Sequence, residues 1–208
     1  VDERAALPVD QRPDDLITLL VETEIDGEPL DRRHLLGTCF LLLLAGIDTT
    51  WSAIGSSLWH LATHPEDQAR LRAEPDLIDS AVEELLRVYS PVTMAREVIA
   101  DVEVAGCPMK PGDKVLMSFP AANRDPAHFE KPDEFIIDRE RNRHVAFGSG
   151  IHRCLGSNLA RMELRVAIQE WLTRIPTFEL ADPAAVTWTG GQVRGPRTIP
   201  VRWSATRP

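Results

Sequence analysis

The stretch Phe147-Gly148-Ser149-Gly150-Ile151-His152-Arg153-Cys154-Leu155-Gly156 decides how this chain is read. Gly148 and Gly150 let the backbone fold tightly, because glycine enters left-handed conformations without a side-chain clash. A cysteine follows, and a helix is expected directly after it, over 155–175. A thiol so placed meets the positive end of a helix and its free N–H groups, and both favour thiolate. The same donors moderate how much electron density the sulfur passes to a bound metal. Gly156 leaves room for a flat group to lie close to the backbone. The loop by itself is also compatible with a buried structural thiol or a redox-active cysteine. Zinc fits less well, since no second cysteine stands at ligand spacing and His152 is only two residues away.

Outward from the loop, the 208 residues are 43% hydrophobic and 26% charged, enough for one sizeable core or two small ones and unlike a disordered chain. A net charge of -9 argues against nucleic acid as the main partner, because phosphate binding needs a basic surface. Between Val1 and Asp31 ten carboxylates face only Arg4 and Arg12, whereas the chain beyond Arg139 is Arg-rich by comparison. This is either ordinary solvated patterning or a basic side near the cysteine loop for an acidic electron donor, with Arg153 and Arg161 as candidates. Cys39, Cys107 and Cys154 are too few and too far apart for a disulfide framework, which suits a reducing, cytoplasmic compartment. The start is acidic rather than basic and then apolar, so no signal peptide is expected. The longest apolar stretch, 35–47, is interrupted by Gly37, Thr38 and Gly46 and is expected to be too short to span a bilayer. No membrane partner is therefore expected.

Residues 1–13 read as a linker. Asp14 and Asp15 then open a short helix to about Glu24, and 25–29 is a turn. A long helix is expected from an Asp31 cap to about Leu61, apolar almost all round and so placed through the centre of the fold. Inside it, Ala45-Gly46-Ile47-Asp48-Thr49-Thr50 is poor helix chemistry, the glycine alone costing about 1 kcal/mol. Capping or packing is one explanation for that stretch and function is another. Helices over 65–73 and 76–89 follow, and Glu84 and Arg87 share a face of the second, where they can pair. Alternation over 96–104, turns at Gly106 and Pro111-Gly112-Asp113, and a return over 114–119 predict a ribbon. An irregular stretch covers 120–142. In the helix after the cysteine, the stripe of Leu159, Met162, Leu164, Val166, Ile168 and Leu172 is expected to be partly buried. Strand character over 178–203, broken by Gly190-Gly191 and Gly195-Pro196, ends the chain. The fold class is mainly α with small β-sheets (α+β), in a single region over 1–208.

Taken together, these segments resemble the cytochrome P450 family. The cysteine loop matches the family pattern Phe-Gly-x-Gly-x-His-x-Cys-x-Gly at every fixed position. Glu84-Leu85-Leu86-Arg87 looks like its Glu-x-x-Arg, and Ala122-Asn123-Arg124-Asp125-Pro126 fits the soluble bacterial type. The resemblance implies the C-terminal, haem-binding half of that fold, with Cys154 as axial ligand to the iron of haem b (iron protoporphyrin IX). It places Phe147, Gly148, Leu155 and Gly156 against the haem, His152 and Arg96 at its propionates, and Ala45 and Gly46 beside it on the distal helix. Asp48 and Thr49 take the place of the pair that delivers protons to dioxygen, and Glu84, Arg87 and Arg139 that of a structural lock. Substrate contacts are implied at Leu44, Val92, Thr93, Met94, Gln192 and Val193.

The activity so implied is a haem-thiolate monooxygenase that inserts one oxygen atom of dioxygen into a small hydrophobic organic substrate. Its electrons would come from a ferredoxin, a flavodoxin or a flavin reductase, as no flavin or nicotinamide fingerprint is present. A haem-thiolate protein without dioxygen activation (an isomerase, dehydratase or haem sensor) and an inactive fragment are the alternatives. The Asp48-Thr49 pair weighs against the first of these. The family pattern also implies an N-terminal half that this sequence lacks, so the chain alone is expected to be catalytically poor without that partner.

Overall fold

The computed structural model describes residues 1–203. Two compact units follow each other along the chain, Val1–Ile47 and a second beginning at Asp48.

In the first unit the opening residues are structured, which corrects the expectation of a linker over 1–13. They form α1 (Asp2–Ala6) and a 3-10 turn at Val9–Gln11. The reason is local charge. Arg4 donates to the Asp15 carboxylate at 2.6 Å and to Thr18 Oγ1 at 2.7 Å, and Arg12 donates to Glu22 at 3.0 Å. Asp15 caps α2 (Leu16–Val21) by accepting the Thr18 N–H. This helix stops short of Glu24 because Glu24–Ile25 forms β1, which pairs with β2 (Glu28–Pro29) across Asp26 and Gly27, both at positive φ. Asp31 then accepts the His34 N–H at 2.7 Å at the head of α3 (Arg32–Thr63).

The 32-residue α3 belongs to both units and changes character along its length. In the first unit it is not the central helix the sequence suggested. Phe40 is 67% exposed, and Leu41, Leu43, Leu44 and Ile47 are exposed with it. Past Asp48 one face becomes core, with Ser52, Ala53, Ser56, Ser57, His60, Leu61 and Ala62 all buried. An all-round apolar helix reports that it is covered, but not by which residues. The thirteen-residue stretch 35–47, expected to be too short for a bilayer, is part of a helix that by length and composition alone could cross one. The buried serines of its second half bond back to backbone carbonyls, and His60 bonds to two side chains, the pattern of a helix packed in protein.

In the second unit α4 (Pro65–Ala73) starts on a proline at its first position, where no N–H is missed. A 3-10 turn at Pro75–Leu77 precedes α5 (Ile78–Val88), so the expected helix over 76–89 is shorter and has a tighter start. Two antiparallel ribbons come next. β3 (Thr93–Glu97) pairs with β6 (Lys114–Ser118), and between them β4 (Val102–Val104) pairs with β5 (Cys107–Met109). The short α6 (Phe119–Ala122) opens the irregular stretch. After the cysteine loop α7 runs over Ser157–Arg174. β7 (Phe178–Leu180) pairs with β10 (Val201–Trp203), and β8 (Thr187–Thr189) with β9 (Gly195–Thr198).

The core lies where α3, α5 and α7 present Leu61, Leu85, Leu164 and Ile168, with Leu71 of α4 and Phe178 of β7. The α7 stripe is narrower than expected. Leu164, Ile168 and Leu172 are buried, but Leu159, Met162 and Val166 are exposed. Buried Gln68 fastens β7 to α4: its amide donates to the Phe178 carbonyl and accepts the Phe178 N–H.

Candidate functional site

The cysteine loop is built on two glycines. Gly148 and Gly150 both stand at φ +69°, a conformation that other residues adopt only under strain. Gly148 lies against the Phe119 ring, and Gly150–His152 forms one 3-10 turn. The Cys154 N–H donates to the Phe147 carbonyl at 2.9 Å and closes the loop on itself. Cys154 is exposed, and the side chains beside it are apolar and almost fully exposed, Ile151 at 97% and Leu155 at 89%. α7 starts at Ser157, two residues later than expected, with Gly156 as its cap. No added Cβ on Gly156 would meet an atom within 4 Å, so the space over it is open.

In the same unit as the loop, Glu84, Arg87 and Arg139 meet. Glu84 and Arg87 are both 0% exposed and pair through two hydrogen bonds of 2.8 Å. Arg139 donates its Nε–H to both Glu84 oxygens at 3.0 Å, and the Ile136 N–H and the Asn142 amide complete the carboxylate's shell. Burial alone would raise the Glu84 carboxyl. The hydrogen bonds from Arg87, Ile136 and Arg139 outweigh it and hold the group below its ordinary value. Arg87 spends its remaining donors on the carbonyls of Asn123, Pro132 and Glu134. Sequence reading missed Asn123, which is fully buried. Its Oδ1 accepts the Val145 N–H at 2.7 Å and its Nδ2 reaches Ser90 Oγ at 2.6 Å, joining the residues just after α5 to the irregular lead into the loop. The only signal for it was its place within a matched segment.

Arg161 departs from expectation. As a candidate for an electron-donor face it should present a free guanidinium, but the group is bound to Glu83 and lies over the Phe147 ring. Arg153 is exposed.

Leu44, Ala45 and Gly46 are exposed on the part of α3 in the first unit. Asp48 and Thr49 are half-buried, and Asp48 Oδ1 accepts from Arg197 Nη1 at 3.0 Å. Four of the residues expected at a substrate come together in one short ladder. Val92 bridges Val193, and the Thr93 N–H donates to the Gln192 carbonyl at 3.0 Å. Met94 stands opposite Met117 in the β3–β6 ribbon. Two residues beyond Met94, Arg96 is exposed and donates to the Ala95 carbonyl.

A predominantly helical α+β unit, with a single thiol displayed on a glycine loop and braced by buried ion pairs, defines the class of protein. Comparison with known proteins supplies the family. The model for cytochrome P450 matches residues 1–183. "Probable cytochrome P450 127A1" of Sinorhizobium fredii is 39% identical over 204 residues, covering 98% of this chain and 49% of that protein. "Cytochrome P450 monooxygenase PikC" of Streptomyces venezuelae is 39% identical over 202 residues, covering 95% of this chain and 49% of its own length. The crystal structure of cytochrome P450 CYP101C1 superposes with a TM-score of 0.90 at 41% identity, over 98% of this chain and 52% of that one. The chain belongs to the cytochrome P450 family, whose members hold a haem iron, and it spans about half the length of the relatives it matches.

Proposed function

We propose that the complete protein is a haem-thiolate monooxygenase that inserts one oxygen atom of dioxygen into a small hydrophobic organic substrate. The cysteine loop carries this reading: one exposed sulfur on a glycine loop, flanked by bare apolar side chains. Among the described residues no group of three or more His, Cys, Asp or Glu could hold a metal ion by itself. A single thiol therefore suits a metal that brings its other ligands in a macrocycle, as haem b does. Ile151 and Leu155 suit the flat apolar face of such a group, with Phe147, Gly148 and Gly156 around them. Arg96 and His152 have no carboxylate partner among the described residues, which suits them to anionic propionates.

When bound, haem b supplies the iron at which dioxygen is activated, and thiolate donation favours O–O cleavage. The other roles fall to the chain. Cys154 would hold the cofactor through its sulfur, while Glu84, Arg87 and Arg139 would keep the loop in register. By the family pattern Ala45 and Gly46 would be further cofactor-contacting residues. The Thr49 hydroxyl and the Asp48 carboxylate would hold and relay the protons that dioxygen chemistry needs, with Asp48 steadied by Arg197. Val92, Thr93, Met94, Gln192 and Val193 would contact substrate, and by the family pattern Leu44 would as well. The N-terminal half of the fold contributes the remainder, so turnover belongs to the complete protein. Electrons arrive singly from a ferredoxin, a flavodoxin or a flavin reductase, in the cytoplasm, where free cysteines such as Cys39, Cys107 and Cys154 persist.

Thr49→Ala in the complete, haem-loaded protein tests the reading. Consumption of reductant should continue while hydrogen peroxide leaves in place of oxygenated product. If product and peroxide yields match the parent, the protein does not use dioxygen in this way, and the isomerase, dehydratase or sensor reading replaces it.

A further inference from the structure

Glu83 stands next to the Glu84 network but serves different partners. Its carboxylate accepts the Arg161 Nε–H at 2.6 Å and Nη2–H at 3.1 Å, together with His144 Nε2–H at 3.0 Å. His144 Nδ1 in turn accepts the Ala146 N–H at 3.2 Å, which leaves Nε2 as the nitrogen that donates to Glu83. The Arg161 guanidinium also lies 4.6 Å from the centroid of the Phe147 ring, and it is the Phe147 carbonyl that accepts the Cys154 N–H. His144 and Phe147 precede the loop, whereas Arg161 follows it by one turn of α7. One side chain of α5 thus holds both ends of the loop.

Adjacent helix residues point about 100° apart, which lets two consecutive carboxylates divide the work. Glu84 grips the irregular segment through Ile136, Arg139 and Asn142, and Glu83 grips the loop. An ordinary surface ion pair would be a sufficient account if Glu83 had one exposed partner. Instead the His144 side chain is 2% exposed and the carboxylate is shared between two segments, one on each side of the loop. Burial pushes the Glu83 carboxyl up, yet the bonds from His144 and Arg161 hold it at about 2.

We infer that Glu83, with Arg161 and His144, is a positioning clamp that fixes the span of the Cys154 loop and with it the direction in which the sulfur is presented. The inference rests on the proposed role of Cys154, but its test does not need haem. In the 208-residue chain, Glu83→Ala should speed amide hydrogen exchange over 148–156 by about fivefold, the Cys154 N–H included, and leave 130–142 at the parent rate. Arg161→Met should act in the same direction, and the double variant should gain less than the sum of the two, since both remove the Glu83–Arg161 pair. Arg161→Lys keeps the charge but loses the fork and the ring contact, and should recover only part of the protection. Should Glu83→Ala fail to fold, Arg161→Met carries the test alone. Unchanged exchange over 148–156 overturns the clamp, and so does acceleration that spreads equally through 130–142 and the core. In the complete, haem-loaded protein the same variants should shift the iron reduction potential and weaken the thiolate-type Soret band. If the unmutated protein lacks that band, the reading of Cys154 fails while the exchange result still decides the clamp.

Discussion

Two buried residues show how much a single side chain can be asked to carry. Arg87 neutralises Glu84 where neither touches solvent, and removing one member of such a pair strands a charge that water cannot reach. Arg87→Met should therefore cost about 3–5 kcal/mol in urea unfolding, and a loss near zero would contradict the network. The i, i+3 spacing of Glu84 and Arg87 was legible in the sequence. Their complete burial was not, because the carbonyls that satisfy Arg87 come from residues 36 to 47 positions away. His60 makes the same point. Its Nδ1 accepts from the Tyr89 hydroxyl at 2.7 Å and its Nε2 donates to Asp67 at 2.9 Å. Burial, with a smaller contribution from the His64 charge, pushes its pKa down from 6.5 to about 3. Below pH 6.5 the unfolded chain takes up a proton that folded His60 refuses, so stability falls as pH drops toward 3. Between pH 6.5 and 5 this group should remove about 2 kcal/mol. His60→Gln should lack that slope in urea titrations at the two pH values. An equal slope in both proteins would place the titrating group elsewhere.

At the scale of elements, the clearest constraint is the approach of β9 to α3. A Cβ on Gly195 would meet Ser52 Cβ at 2.5 Å and Cα at 2.9 Å, so the strand and helix touch backbone to backbone. Gly195→Ala should force them apart and destabilise the unit by about 1–3 kcal/mol, read as a lowered urea midpoint. An unchanged midpoint would mean that the strand does not pack there. The sequence announced a break at Gly195-Pro196 but could not name Ser52 as the reason for it. Helix boundaries were legible where a cap or proline marked them, as at Asp15, Asp31 and Pro65. Less legible was which face of α3 or α7 is covered. Apolar periodicity does not name the partner, so it marked the α7 stripe as partly buried without saying that Leu159 and Met162 are among its exposed members.

For the whole molecule, the exposed apolar side chains are concentrated on the first half of α3. Phe40, Leu41, Leu43, Leu44 and Ile47 stand bare there, and Trp51, 70% exposed, lies just beyond. Surfaces of this kind bind apolar partners. The 208-residue chain should therefore enhance the fluorescence of an apolar dye, and Phe40→Ser with Leu44→Ser should reduce that enhancement. An equal signal would put the dye elsewhere. The family itself was legible from the sequence because its pattern sits in ten consecutive residues around Cys154. The grip on that pattern was not, since Asn123, Glu83 and His144 act through contacts that no local motif encodes.

The most direct test compares the complete, haem-loaded protein with its Cys154→Ser variant after reduction under carbon monoxide. The parent should display a thiolate-type Soret band and the serine variant should lose it together with turnover. Identical spectra and activity in the two proteins would contradict the assignment of the sulfur at position 154 to the iron.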